Sequence, residues 1–219
     1  FSTSLVDLDN DGDYDLFFGS NSGEFFYYEN TGSVNAPAFG PEQMAPFNIG
    51  TLLFCTSTSF ADIDGDGDMD LLAGHSYGES WFYENIGTSS SPDFGIGVSN
   101  PFGLTNAGTT IGPQFVDLDN DGDMDLLSGE WNGNFNYFEN IGTVSSPLFG
   151  TFQTNPFSLK DIGTATYPAF GDLDGDGDQD IISGEWSDSF YYIENVSPLC
   201  VVETSVSVNG NVLTATLVG

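Results

Sequence analysis

The sequence predicts an all-β protein: a β-propeller of four 55-residue blades followed by a C-terminal β-hairpin segment. Three observations predict it. First, an acidic stretch occurs four times, as "DLDNDGDYD" from Asp7, "DIDGDGDMD" from Asp62, "DLDNDGDMD" from Asp117 and "DLDGDGDQD" from Asp172, each 55 residues after the last. A fixed period of this kind marks a repeat architecture. Second, each unit has room for four short strands, the strand count of a propeller blade. Third, aromatic runs such as "FFYYE" and "FYYIE" are apolar at consecutive positions. A sandwich strand alternates because one face meets water, whereas blades packed radially are covered on both faces. A β-solenoid is the runner-up, although 55 residues is long for one coil.

The elements of a unit follow in order. An apolar residue two positions before each acidic stretch (Leu5, Phe60, Phe115, Phe170) ends the first strand, and the stretch itself is a loop. Residues of β type leave the loop as a second strand, with Gly19, Gly74, Gly129 or Gly184 four positions after the last aspartate. A Gly or polar turn leads to the aromatic run, a third strand ending in Glu-Asn. Pro-x-Phe-Gly at 37–40, 92–95 and 147–150 begins a fourth, and Pro-Phe follows at 46, 101 and 156. The units span about 1–50, 51–105, 106–160 and 161–197. The fourth breaks off after Glu194-Asn195, and the tail, 198–219, alternates around Asn209-Gly210, a strong hairpin signal. It serves either as a closing strand or as the start of an Ig-like module. Whether four blades close a ring or belong to a longer array stays open at this point.

Composition narrows the partners. The chain has 219 residues, a formal net charge of −32, Lys160 as its one Lys or Arg, and His75 as its one histidine. Salt bridges therefore cannot balance the carboxylates. Nucleic acid and anionic membrane surfaces are excluded as partners, because binding them relies on Lys and Arg. No run approaches the ~20 apolar residues that span a bilayer, so membrane insertion is not expected. Small cations are the natural partners. Twenty Phe, nine Tyr and three Trp argue against a disordered acidic chain, and the clustering of the acids argues against a generally acidic surface. The first residue is Phe1 rather than Met, which fits a mature or excised segment. Cys55 and Cys200 fit either a disulfide or two core thiols.

Within each loop the spacing is D-x-D-x-D-G-x-x-D, so aspartates fall at positions 1, 3, 5 and 9 with glycine at 6. A hard cation takes such a set: calcium accepts six to eight oxygens, and alternating short carboxylates can curl around it. The candidate ligands are Asp7, Asp9, Asp11 and Asp15; Asp62, Asp64, Asp66 and Asp70; Asp117, Asp119, Asp121 and Asp125; and Asp172, Asp174, Asp176 and Asp180. Asp13, Asp68, Asp123 and Asp178, at position 7, need give only a main-chain oxygen, which leaves their side chains free to face solvent. An EF-hand is excluded, since its position 12 requires Glu where this chain has Phe18, Ala73, Ser128 and Ser183. Two carboxylates ~4 Å apart repel by about 4 kcal/mol at a surface-like dielectric. About four calcium ions, one per repeat, turn those charges into ligands. Sites of this kind fill where calcium is plentiful, which points outside the cell.

These loops, with the preceding Phe, the following Leu-Leu or Ile-Ile, and Phe39-Gly40, Phe94-Gly95 and Phe149-Gly150, resemble the FG-GAP/VCBS repeats of integrin-α-like propellers and bacterial surface proteins. The resemblance covers about residues 1–197. It implies calcium in the loop between two strands of each blade, as structural support for adhesion or ligand binding. Family propellers commonly have seven blades, and four units occur here. If the chain closed on itself at its tail, Cys200 could reach Cys55.

Three functions compete. An enzyme of the propeller lyase type needs a base or an electrostatic clamp, which one His, one Lys and no Arg supply poorly, so no catalysis is expected. A glycan- or protein-binding module would use Trp131 and Trp186, which occupy equivalent positions after the second strand and share one rim. A structural or adhesive element of a secreted or cell-surface protein is preferred, with copies of itself as further candidate partners.

Overall fold

A computed structural model describes residues 3–109, 111–186, 189–195, 201–209 and 212–217, with side chains described for all of these except 56 and 201–217. Its regular elements are seventeen β-strands and one 3-10 turn, with no α-helix among the described residues. The first sheet pairs β1 (Thr3–Val6), β2 (Asp15–Gly19), β3 (Phe25–Tyr28) and β4 (Gln43–Met44) in chain order. The second pairs β5 (Cys55–Ala61), β6 (Asp70–His75), β7 (Ser80–Tyr83) and β8 (Val98–Ser99). The third pairs β9 (Gly112–Val116), β10 (Asp125–Gly129), β11 (Phe135–Phe138) and β12 (Gln153–Thr154). The fourth has β13 (Tyr167–Gly171), β14 (Asp180–Gly184), β15 (Phe190–Asn195), β16 (Val201–Asn209) and β17 (Val212–Leu217). All pairings are antiparallel, and the sheets are the four blades of a β-propeller.

The register fixes where the acidic loops lie. Val6 faces Asp15, Ala61 faces Asp70, Val116 faces Asp125 and Gly171 faces Asp180. Each loop is thus the hairpin connection between the first and second strands of its blade. The tail supplies the outer strand that the fourth unit lacks: β16 pairs along β15 from Asn195↔Val201 to Phe190↔Val206, and β17 folds back on β16. Gly210, at the expected turn, lies outside the described residues.

One expectation is corrected. Pro-x-Phe-Gly does not begin the fourth strand; it precedes it. Phe39, Phe94 and Phe149 each make an isolated bridge to Asn30, Asn85 or Asn140, and the two-residue outer strands come later. Proline carries no N–H for a ladder, so this segment anchors through one residue and then crosses to the edge.

The core is a set of seams between blades. Blade 1 gives Leu8, Phe17, Phe25 and Tyr27 to a cluster with Leu71, Tyr83 and Phe94 of blade 2. The next seam joins Ile63, Leu72 and Phe82 to Leu126, Phe138 and Phe149. The third joins Leu118, Leu127 and Tyr137 to Ile181 and Ile193. Pro-Phe serves these seams. Phe47, Phe102 and Phe157 take left-handed backbone, with φ of 54°, 55° and 55°, and their rings lie 4.9–5.0 Å edge-on from Tyr27, Phe82 and Tyr137. A left-handed Phe is strained, and aromatic packing offsets that strain at a repeated point.

The aspartate at position 9 pins each blade. Asp125 is fully buried; its Oδ1 accepts from the Asn140 N–H at 2.8 Å, and its Oδ2 accepts from the Tyr137 hydroxyl at 2.7 Å and the Leu118 N–H at 3.3 Å. Asp15 has the same partners in Tyr27, Asn30 and Leu8, and Asp180 in Tyr192, Asn195 and Leu173. Blade 2 is the exception, because Phe82 stands where the others have tyrosine. Burial pushes the Asp70 carboxyl up to about 7, whereas Asp125, with its phenol donor, is raised only to about 6. A hydrogen bond to a charged group contributes about 1.5–3 kcal/mol. Tyr137→Phe is therefore expected to lower unfolding free energy by about that amount, read from urea denaturation in calcium, and to raise the pKa of Asp125. Phe82→Tyr should lower that of Asp70, read by carboxyl NMR titration.

Candidate metal centres

Each acidic loop folds on its own backbone before any ion is considered. In the first, Asp7 Oδ1 and Oδ2 accept from the N–H groups of Asp11 and Gly12, both at 3.1 Å, and Asp11 Oδ1 accepts from the Asp13 N–H at 3.1 Å. The other loops repeat these turns, as in Gly67 N–H to Asp62 and Asp123 N–H to Asp121. The position-6 glycines have φ between 95° and 100°, a conformation that disfavours any side chain. Position 4 is left-handed as well, and it alternates Asn10, Gly65, Asn120, Gly175, the residue types that tolerate it.

The fold brings positions 1, 3 and 5 together. Asp7, Asp9 and Asp11 each offer a carboxylate oxygen within 4.8 Å of the other two, and the same holds for Asp62, Asp64 and Asp66, for Asp117, Asp119 and Asp121, and for Asp172, Asp174 and Asp176. Position 9 stands apart from these groups, its oxygens engaged in the clamp of the strands. Position 7 departs from expectation. The side chains of Asp13, Asp68 and Asp123 do not face solvent; they are over nine-tenths buried, and each has an Oδ1 without a hydrogen-bond partner. Asp178, half-buried, has two such oxygens. The fold buries position 7, which spacing alone does not reveal.

The electrostatics are compatible with a bound cation. Burial, then the neighbouring carboxylates, push Asp68 and Asp178 up to about 6. Asp9, Asp13, Asp119 and Asp123 are raised for the same reasons. A buried carboxylate oxygen with no donor is costly unless charge or a ligand compensates it. Three convergent carboxylates of hard oxygen chemistry, with unpartnered oxygens in the same loop, fit a divalent metal. A cavity of about 430 Å3 lies beside two of these loops, lined among others by Asp117, Asp119, Met124 and Asp178.

The remaining predicted positions are accounted for as follows. Trp131 and Trp186 are exposed, and their rings lie 6.0 Å apart across adjacent blades, tilted by 53°. His75 accepts or donates at Nδ1 with Glu79 at 3.0 Å and packs beside Phe54 and Tyr77. Cys55 is a buried free thiol, pushed up to about 12 by burial, and Cys200, with which it fits either a disulfide or a pair of core thiols, lies outside the described residues. Residues the sequence reading passed over include Asn30, Asn85 and Asn140. Each is buried, and its Oδ1 accepts two backbone N–H groups that hold the chain leading to Pro-x-Phe-Gly. Their repetition in Glu-Asn was the available signal.

Comparison with known proteins agrees with this architecture. An Agrocybe aegerita lectin, whose structure is described as the basis of specific recognition of non-reducing terminal N-acetylglucosamine, superimposes with a TM-score of 0.52 at 21% identity. The match covers 96% of this chain and 50% of that one, so this chain spans about half the length of that lectin. No curated protein matches the sequence. No helix is long and apolar enough to cross a membrane among the described residues. The FG-GAP-like repeat matches over residues 7–73, 62–128 and 117–183. With that match over most of its length, and with one acidic hairpin loop in each of four blades, the chain belongs to the FG-GAP-like repeat family.

Proposed function

We propose that this chain is a calcium-binding structural and adhesive domain of a secreted or cell-surface protein, with no catalytic role of its own. The observation that carries the reading is the fourfold carboxylate triad, with unpartnered carboxylate oxygens in the same loops, in a chain with one Lys and no Arg. No cationic side chain can serve four such sites. Calcium suits them by ligand hardness and tolerance of irregular geometry, and FG-GAP repeats are typical of extracellular proteins, where calcium is abundant. Asp7, Asp9 and Asp11 and their counterparts would hold the ion, with position 7 contributing from the same loop. Bound ions then stiffen each hairpin, and the domain acts as a rigid head or spacer.

A second reading is favoured by one observation. The paired, exposed rings of Trp131 and Trp186 form a tilted aromatic surface suited to stacking on a sugar, and the propeller fold is shared with a lectin. This would make the domain a glycan-binding module on the same calcium-stiffened frame. A glycan array on the calcium-loaded protein tests it: binding lost in Trp186→Ala with an unchanged melting curve supports it, and an array without binding removes it.

Calcium binding is expected to raise stability by about 2.7 kcal/mol per site at a hundredfold excess over Kd. A chelator should accordingly lower the melting temperature, and an unchanged curve would overturn the calcium reading. Calorimetric titration should find about four ions per chain, one per acidic group, and one fewer in Asp117→Asn. The pH dependence has a definite sign. The raised carboxyls at about 6–7 bind protons more tightly folded than unfolded. Their stabilising protonation is complete below the unfolded value near 4 and is lost as pH rises through 6–7. The chelated protein should therefore become more stable as pH falls from 7 to 5. The calcium-loaded protein should not, because protons displace the metal.

A further inference from the structure

The end of the blades opposite the acidic loops carries the turns between second and third strands and the connections that lead into each next blade. Three pairs of equivalent residues meet there. The N–H of Ser76 donates to the Phe54 carbonyl at 3.1 Å, that of Trp131 to Thr109 at 2.9 Å and that of Trp186 to Thr164 at 2.8 Å. One member of each pair is a large aromatic, on the connection in the first pair and on the turn in the other two. All three are exposed: Phe54 by 39%, Trp131 by 41% and Trp186 by 73%. Phe54 lies between blades 1 and 2, and Trp131 stands on blade 3 with a blade on each side, so their exposure does not come from an end of the array. Core aromatics of the same blades, such as Phe25 and Phe135, are at most 1% exposed. Phe54 also holds a left-handed backbone, with φ of 60°, a strained conformation for a bulky residue and one that concentrates at functional positions.

The rings form two groups on one face. Tyr77, 65% exposed, has its centroid 5.8 Å from Phe54 and 5.2 Å from His75, and the centroids of Trp131 and Trp186 are 6.0 Å apart. Both groups adjoin the same stretch of chain: Asn106 Nδ2 donates to the Tyr77 carbonyl at 3.4 Å, and the Thr109 carbonyl accepts from Trp131. Residues Asn106 to Thr109 span ~11 Å at most. Exposed polar groups among the rings are neutral, in Asn21, Asn106, Thr109 and Asn132. Nearby carboxylates are engaged, since Glu79 pairs with His75 at 3.0 Å and the buried Glu130 accepts from Asn134 at 2.6 Å.

We infer that this face binds an extended, uncharged polysaccharide, whose sugar rings stack on Phe54 and Tyr77 at one group and on Trp131 and Trp186 at the other. The inference rests on the glycan-binding reading of the tryptophan pair and names its ligand class. Aromatic faces accept the apolar faces of sugar rings, and neutral amides and hydroxyls serve sugar hydroxyls. An anionic chain finds no cation among these groups and is repelled by a net charge of −32. One sugar covers one group of rings. Only a chain reaches both, and joined units meet the second group at high effective concentration.

The test is affinity electrophoresis of the calcium-loaded 219-residue chain through gels holding hydroxyethyl cellulose, xylan, galactomannan, laminarin or the anionic alginate. Titration calorimetry follows, with oligosaccharides of increasing length from whichever polymer retards it. Retardation by a neutral polymer and none by alginate is expected, with Kd falling by about tenfold or more from the single sugar to a chain that spans both groups. Phe54→Asn, a residue type that tolerates the left-handed backbone, and Tyr77→Ser should each raise the Kd of the long oligosaccharide by about tenfold and leave that of the single sugar at the tryptophan pair unchanged. Melting curves matching the parent check folding. A single sugar that binds as tightly as its long chain, full chain affinity in both variants, equal retardation by alginate, or no retardation by any neutral polymer beside a glycan array that shows binding would each overturn the inference and leave the tryptophan reading standing. An array without binding removes both.

Discussion

The structure depends on a carboxylate that is buried without a cation beside it. Asp15, Asp70, Asp125 and Asp180 sit at the start of the second strand of each blade, and each reaches the N–H just past the loop's first aspartate and the N–H of the Asn that ends the third strand. One side chain thus fastens both ends of the acidic loop and the neighbouring strand. Burying an ion is expensive, and only donors in the right places make it tolerable. The three blades with a tyrosine add a third donor, and blade 2 manages with two. Because the clamp holds the hairpin closed, the other loop carboxylates have nowhere to spread. Their crowding follows from the alternate spacing and the clamp together, and it is compatible with a bound metal ion.

The same period that repeats the loop also repeats the seam. A blade presents unlike faces to its two neighbours, so every unit must carry both complements, and residue identity follows position within the unit. This explains why the aromatic strands are apolar at consecutive positions yet differ in burial. In β11, between two blades, all four residues are buried, whereas β3 and β15, in the end blades, are only partly covered. The strained Phe47, Phe102 and Phe157 belong to the same logic. Each packs on the aromatic strand of its own blade and lies in the seam to the next.

The sequence made the repeat, the strands and the acid triads legible because each has a periodicity that physics can interpret: 55 residues for the blade, consecutive apolar positions for a doubly covered strand, alternate aspartates for oxygens on one side of a turn. It did not reveal which oxygens the backbone captures. Asp15 and Asp7 are the same residue type at ligand spacing, but one is taken by N–H and O–H donors on and just past the neighbouring strand, and the other by N–H groups of its own loop, beside two further carboxylates. That distinction is made by tertiary contact. The same is true of Asp13, which the fold buries, and of Asn30, whose amide works across an eight-residue gap. Pro37-Ala38-Phe39-Gly40 looked like a strand for its composition, and became a bridge because it must turn from one ladder to the next edge.

These points bear on where such a domain can work. Twenty of its 33 acidic residues lie in the four loops, so their mutual repulsion is concentrated at four hairpins instead of being spread over the surface. Spread charge is screened by salt within about 10 Å at 0.1 M, but crowded and partly buried charge is not. Monovalent salt is therefore a poor substitute for a coordinated ion at these points. On the calcium reading, rigidity becomes conditional on the medium: the clamp and the seams define the fold, and the ion sets how firmly each hairpin end is held. On the same reading, a module exposed outside the cell would stay pliable where calcium is scarce and stiffen where it is plentiful. On that reading, replacing the aspartates by neutral residues would relieve the repulsion and abolish the dependence together, which gives a physical reason for so many like charges in so few positions.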